Sequence, residues 1–178
     1  MSLMSSTKEK KIVILSFITA FTLSIYILEM FIPKPLPFMK IGLSNVMIVY
    51  MLFSDLVSEA LIVTLAKTVV GGFITGTLFN PTTLMSFSGG ILAYIFMLFF
   101  MRSKIPFSVI GISIIGAVMH NIGQLLTVNL LLIKDQKILY LFPILLLLAL
   151  VTGLFTGYAA CLLLKHLNLR SLYERTDF

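Results

Sequence analysis

Charge is scarce in this sequence. Of its 178 residues only 11% are Asp, Glu, Lys or Arg, where a soluble domain carries roughly a quarter. With 59% hydrophobic residues and a mean hydropathy of +1.09, that deficit excludes an ordinary water-soluble domain. Cysteine occurs once, at Cys161 inside an apolar run, so no internal disulfide can form and the redox compartment cannot be read. Asp55, Asp135 and Asp177 stand far apart, which leaves no paired acidic motif to hold magnesium. A phosphate-cradling Gly-Lys-Ser/Thr loop is also missing. The one His inside an apolar run, His120, has no Cys or spaced carboxylates beside it, so neither a metal nor another cofactor is expected.

What is present comes in blocks. The apolar residues follow neither a period of two nor a narrow amphipathic stripe, and blocks of this length are read as membrane-spanning helices. The first, at 12–32, exceeds the apolar core of a signal peptide and is followed by no small-residue cleavage site, so it should remain as a helix. Pro33, Pro35 and Pro37 stop it. Further helices are expected at about 41–53, 56–74, 84–101, 106–133 and 138–164. The fifth, at about 42 Å, must tilt or protrude. The fold class is therefore an all-α integral membrane protein, a six-transmembrane-helix bundle in one membrane domain over 1–178. Polar tails are expected at 1–11 and 165–178.

Six spans put both tails on one side. That side holds Lys8, Lys10, Lys11, Arg102, Lys104, Lys165, Arg170 and Arg175, against Lys34, Lys40, Lys134 and Lys137 on the other. The basic excess marks the cytoplasmic face, so both termini are expected inside. The net charge of +6 reads as topology and anionic lipid headgroups, not nucleic-acid binding.

The stretch from Lys67 to Gly90, KTVVGGFITGTLFNPTTLMSFSGG, is richer in small and polar residues than lipid-facing sequence has use for. Such groups at membrane depth belong inside protein or along a cavity. Lys67 lies near mid-helix, where an unpartnered charge costs at least about 2.5–3.5 kcal/mol. It either pairs with Glu29 or Glu59 or faces an anionic ligand. Ser113, Gly116, His120, Gly123, Gln124 and Thr127 form one stripe at steps of three and four, with Asn121 beside it. That stripe serves interhelical hydrogen bonds, or it orients a heterocycle or polar headgroup. Asn45 and Asn80, with Ser86 and Ser88, complete the polar set. Asn80-Pro81 also fits a plain turn, and Gly153 and Gly157 fit helix packing. On the first helix Ser16, Ala20 and Ser24 recur every fourth residue. Such small residues let a second helix approach closely, within the bundle or from a partner subunit.

Three motifs carry a family resemblance: Lys40-Ile-Gly-Leu-Ser-Asn45 after the Pro-rich loop, Gly76-Thr-Leu-Phe-Asn-Pro-Thr-Thr-Leu-Met-Ser-Phe-Ser-Gly-Gly90, and His120-Asn-Ile-Gly-Gln124. Together they resemble the family labelled "heptaprenyl diphosphate synthase component I" or "Gx transporter" over about 12–165. That family looks related to the substrate-binding (S) components of energy-coupling factor vitamin transporters. The resemblance implies a six-helix protein of a prokaryotic cytoplasmic membrane. It would bind a small vitamin-like or prenyl- or quinone-related compound from outside, and work with a transmembrane coupling subunit and two cytoplasmic ATPases. The loop at 33–40 would cap the ligand. Asn45, Lys67, Asn80, Ser86, Ser88, His120, Asn121 and Gln124 would line the pocket, and Ser16, Ala20 and Ser24 would dock the coupling subunit. Without magnesium or phosphate motifs the chain is not expected to be an enzyme. The competing readings are a non-catalytic assembly subunit for isoprenoid (heptaprenyl diphosphate) or redox machinery, and an autonomous carrier of a lipophilic molecule.

Overall fold

A computed structural model of the chain describes residues 2–32 and 42–167. The described residues form six α-helices: α1 (Ser2–Met30), α2 (Asn45–Phe53), α3 (Val57–Ile74), α4 (Pro81–Met101), α5 (Val109–Thr127) and α6 (Phe142–His166). Five stretches are long and apolar enough to cross a membrane: Lys11–Glu29, Val57–Ile74, Pro81–Met101, Val109–Leu131 and Phe142–His166. The all-α membrane class thus follows from the helices themselves. The expected cap at 33–40 and the tail beyond Leu167 lie outside the described residues. Most of the polar stretch expected as an N-terminal tail is instead the first turns of α1, which starts at Ser2.

The second helix differs from its expected form. α2 has 9 residues, about 14 Å at 1.5 Å per residue, against a hydrocarbon core of about 30 Å. Met47 to Leu52 are all buried in it, with Tyr50 and Met51 fully enclosed. A helix apolar on every side belongs in an interior; the expected run at 41–53 is already short for a span, and α2 is shorter still, with Met47 to Leu52 enclosed by protein. Its end is set by Asp55, which turns the backbone into the left-handed region at φ 60°.

Sequence signals place the other boundaries. Asn80 caps α4 by accepting from the Thr82 backbone N–H at 3.0 Å, and Pro81 takes the first helical position, where its missing N–H costs nothing. Helix α4 therefore begins one turn earlier than its apolar run. Ser108 caps α5 by accepting from Gly111 N–H at 3.1 Å. Beyond Thr127 the helix widens into a π-helical segment, Val128–Ile133, and the chain re-enters through a 3₁₀ segment, Gln136–Leu141.

Helix α5 is the centre of the bundle, packed most extensively against α4 and α6. Glycine makes both contacts close. A Cβ on Gly123 would stand 2.8 Å from Gly89 Cα, and one on Gly153 or Gly157 would stand 2.7 or 2.8 Å from Ile114 Cα or Ile110 Cα. Apolar clusters close the two ends. At one, Met51, Leu52, Leu56 and Ile112 gather Ile14 and Leu15 of α1 with Leu163 and Leu164 of α6. At the other, Met85, Leu125, Val128, Ile138 and Leu145 pack together. Tyr50 Oη donates to Leu167 O at 3.0 Å and Tyr94 Oη to Val57 O at 2.9 Å, tying α2 to the end of α6 and the start of α3 to α4. The early turns of α1 and the end of α6 therefore share one end of the bundle, and α2 supplies the return that makes this so.

Backbone contacts cannot yield as side chains can. Gly123→Ala should destabilise the detergent-solubilised protein by about 1–3 kcal/mol, seen as a lowered unfolding temperature. Gly116→Ala should cost less, because its Cβ would meet the flexible Met97 side chain. Equal losses would contradict backbone contact at the α4–α5 crossing.

Candidate functional site

Between the two apolar clusters lies a polar layer, built by the turn that enters α2. Gly42 adopts φ 80°, a conformation open to glycine, and Asn45 N–H closes the turn on Gly42 O at 2.8 Å. Gly42 N–H donates to Glu29 Oε1 at 2.6 Å. The turn thereby presents Ser44 and Asn45 to α3. Lys67 Nζ, on a residue 3% exposed, donates to Asn45 Oδ1 at 2.5 Å and Ser44 Oγ at 3.2 Å. Hydrogen bonds to a charged group contribute about 1.5–3 kcal/mol each, enough to offset the cost of an ammonium at this depth.

Around that ammonium is a small cavity of about 10 Å³, lined by Tyr26, Glu29, Asn45, Lys67, Ser86 and His120 among others. A second, also about 10 Å³, shares Gly42, Asn45 and His120 and reaches Ser113, Asn121 and Thr156. Each has room for about one water molecule. Glu29 (2% exposed) and Lys67 thus face one enclosed space from α1 and α3. Glu59, the other carboxylate considered for Lys67, sits in the first turn of α3.

The α5 stripe turns inward as its period requires, and several members bond to other helices. Ser113 Oγ meets Thr156 Oγ1 at 2.7 Å, Asn121 Nδ2 donates to Leu145 O at 2.9 Å, and Thr127 Oγ1 meets Ser88 Oγ at 2.5 Å. Gln124 Nε2 lies 3.0 Å from His120 Nε2. With the amide donating, the ring accepts at Nε2 and carries its proton on Nδ1.

Of the residues expected to share a pocket, Asn45, Lys67, Ser86 and His120 line one cavity. Asn121 borders the neighbouring one, and Gln124 reaches the site through His120. Asn80 and Ser88 are elsewhere. Asn80 is the exposed cap of α4, and Ser88 is held at the α4–α5 contact, where it also donates to Gly123 O at 3.2 Å. Tyr26, Glu29, Ser44 and Thr68 join the lining beyond the expected pocket set. Glu29 and Tyr26, three residues apart on α1, carried a readable signal: a carboxylate in an apolar run must find a polar interior. Ser16, Ala20 and Ser24 are all exposed, so internal packing does not use this stripe.

A polytopic α-helical membrane protein with a closed polar layer at its centre is the class these features define. The chain belongs to the heptaprenyl diphosphate synthase component I family, whose family model matches residues 18–163. Comparisons with curated proteins and with solved structures return no match.

If Lys67 is held chiefly by Asn45, the two positions are energetically coupled. Lys67→Met and Asn45→Leu should each destabilise the protein, and the double variant should lose less than their sum by about 0.5–3 kcal/mol. Strict additivity in chemical or thermal unfolding would contradict the interaction.

Proposed function

We propose that this chain is the substrate-binding component of a multi-subunit transporter of the energy-coupling factor type. It takes a small vitamin-like or prenyl- or quinone-related compound from outside and is not itself an enzyme. The carrying observation is the convergence of Asn45 from α2, Lys67 from α3, Ser86 from α4 and His120 from α5 on one enclosed space. A structural core gains little from assembling an ammonium, an amide, a hydroxyl and an imidazole at membrane depth, and intramembrane ionisable groups most often serve a ligand or ion. The amide and imidazole would orient the ligand while Lys67 offsets negative charge. Ligand sites usually measure about 300–1,000 Å³, so the two one-water cavities are the closed form of this site. Binding separates α2 and α3 from α5.

Partners follow from the same reading. The exposed Ser16, Ala20 and Ser24 face is where a transmembrane coupling subunit would pack, with two ATPases on its cytoplasmic side. The basic excess at the end shared by both termini supports a cytoplasmic location for them, in a prokaryotic cytoplasmic membrane. A second reading, a non-catalytic assembly subunit for isoprenoid or redox machinery, is favoured by the tight hydrogen bonding of the layer and the small size of its cavities.

Ligand binding by the purified protein separates the two. The small molecule that co-purifies is identified by native mass spectrometry and titrated back. Lys67→Ala and Gln124→Ala should each weaken binding by about tenfold or more, a loss of about 1.4 kcal/mol or greater. Unchanged affinity in both variants, or a protein that retains no small molecule and co-purifies only with prenyl-transferring subunits, would favour the assembly reading.

A further inference from the structure

The two small cavities of the polar layer are not equivalent. One has the Lys67 ammonium in its wall. The other shares Gly42, Asn45 and His120 with it but lies against α5 and α6, and there it presents a pair of hydrogen-bond acceptors. The first is Asn121, a residue 8% exposed. Its Nδ2 donates to Leu145 O at 2.9 Å, which fixes the orientation of the amide and leaves Oδ1 as its remaining polar atom. That oxygen is neither sealed by packing nor met by a donor among the described residues. On so buried a residue, the open space beside it is the cavity that Asn121 lines. Ser113, also buried, repeats the polarity. Thr156 Oγ1 donates to Thr152 O at 2.9 Å, so the 2.7 Å contact between the two hydroxyls is donated by Ser113. Ser113 Oγ then keeps only acceptor lone pairs.

Buried acceptors call for donors. A bound molecule with O–H or N–H groups supplies them, and one whose head carries only carbonyl oxygens does not. Asn45 and His120, common to both cavities, stand on α2 and α5. The separation of α2 from α5 that admits a ligand therefore also joins the two spaces. Resting on the binding-component reading above, we propose that the substrate is a compact water-soluble molecule with an acidic group at one end and O–H or N–H donors at the other. The acidic end meets Lys67. The donor end enters between α5 and α6, where Asn121 Oδ1 and Ser113 Oγ accept from it. These two residues then set specificity, selecting against quinone heads and bare prenyl chains, which have no such donors.

A matched pair of probes, para-carbamoylbenzoate and para-acetylbenzoate, tests this. They share a carboxylate, a ring and a carbonyl, and differ in an amino group where the other has a methyl group. Titrated calorimetrically into the full chain in nanodiscs, the carbamoyl compound should bind at least about tenfold tighter. Asn121→Leu should bring that ratio toward one by weakening the carbamoyl compound alone, whereas a merely structural role for Asn121 would weaken both alike. Should that variant unfold, Ser113→Ala should narrow the ratio by about threefold or more. Equal affinity of the two compounds, or a ratio that survives both substitutions, overturns the inference, and the α5–α6 cavity then holds only a water. If the compounds bind equally and Lys67→Ala weakens both, the binding component stands without the donor end. Binding of neither compound also overturns the inference. A small molecule retained by the purified protein and lost on Lys67→Ala would then keep the binding component, and its absence would remove both readings.

Discussion

An ammonium group in the middle of a hydrocarbon-embedded bundle is the constraint to which the rest of the structure answers. Lys67 is buried on α3, so acceptors must be brought to it. The chain does this with the glycine turn that enters α2, which places the Asn45 carbonyl and the Ser44 hydroxyl on the ammonium. The same turn donates its Gly42 N–H to Glu29. One short segment thus satisfies a buried cation and a buried carboxylate from two other helices. This fits a short α2 packed as part of the core, with Met47 to Leu52 buried.

Close packing holds this layer in place. Where α4 meets α5 and α5 meets α6, Gly89, Gly123, Gly153 and Gly157 bring backbones nearer than any side chain would allow. In a bilayer, helix association relies on such contacts and on interhelical hydrogen bonds, because lipid tails are as apolar as leucine. Among the described residues, apolar clusters pack at both ends of the bundle. The arrangement is a closed one. The contacts of α1 and α2 with their neighbours are less extensive than those α5 makes with α4 and α6.

Much of this was legible in the sequence because hydrocarbon imposes simple rules. Five spans follow from apolar length, and the α5 stripe turns inward because its polar residues repeat at the helical period. Gly153 and Gly157 were readable as packing residues from their spacing alone. The run at 45–53 was not, since a buried core helix and a lipid-facing span are equally apolar in one dimension. The π-helical widening after Thr127 leaves no composition signal at all. Asn80 and Ser88 looked like their polar neighbours, but local capping claimed the first and a distant partner on α5, Thr127, claimed the second. Ser44 joined the site because the turn, not the residue type, aimed it at Lys67.

The account's central claim is that Lys67 is a dehydrated cation held by the α2 turn. Magic-angle-spinning NMR of the protein in lipid bilayers, with lysine ¹⁵Nζ and asparagine ¹³C labels, observes that contact directly. The account predicts a through-space correlation between the Lys67 ammonium and the Asn45 carboxamide, together with slow exchange of the ammonium protons with water. A Lys67 ammonium that exchanges freely and gives no contact with Asn45 would contradict it.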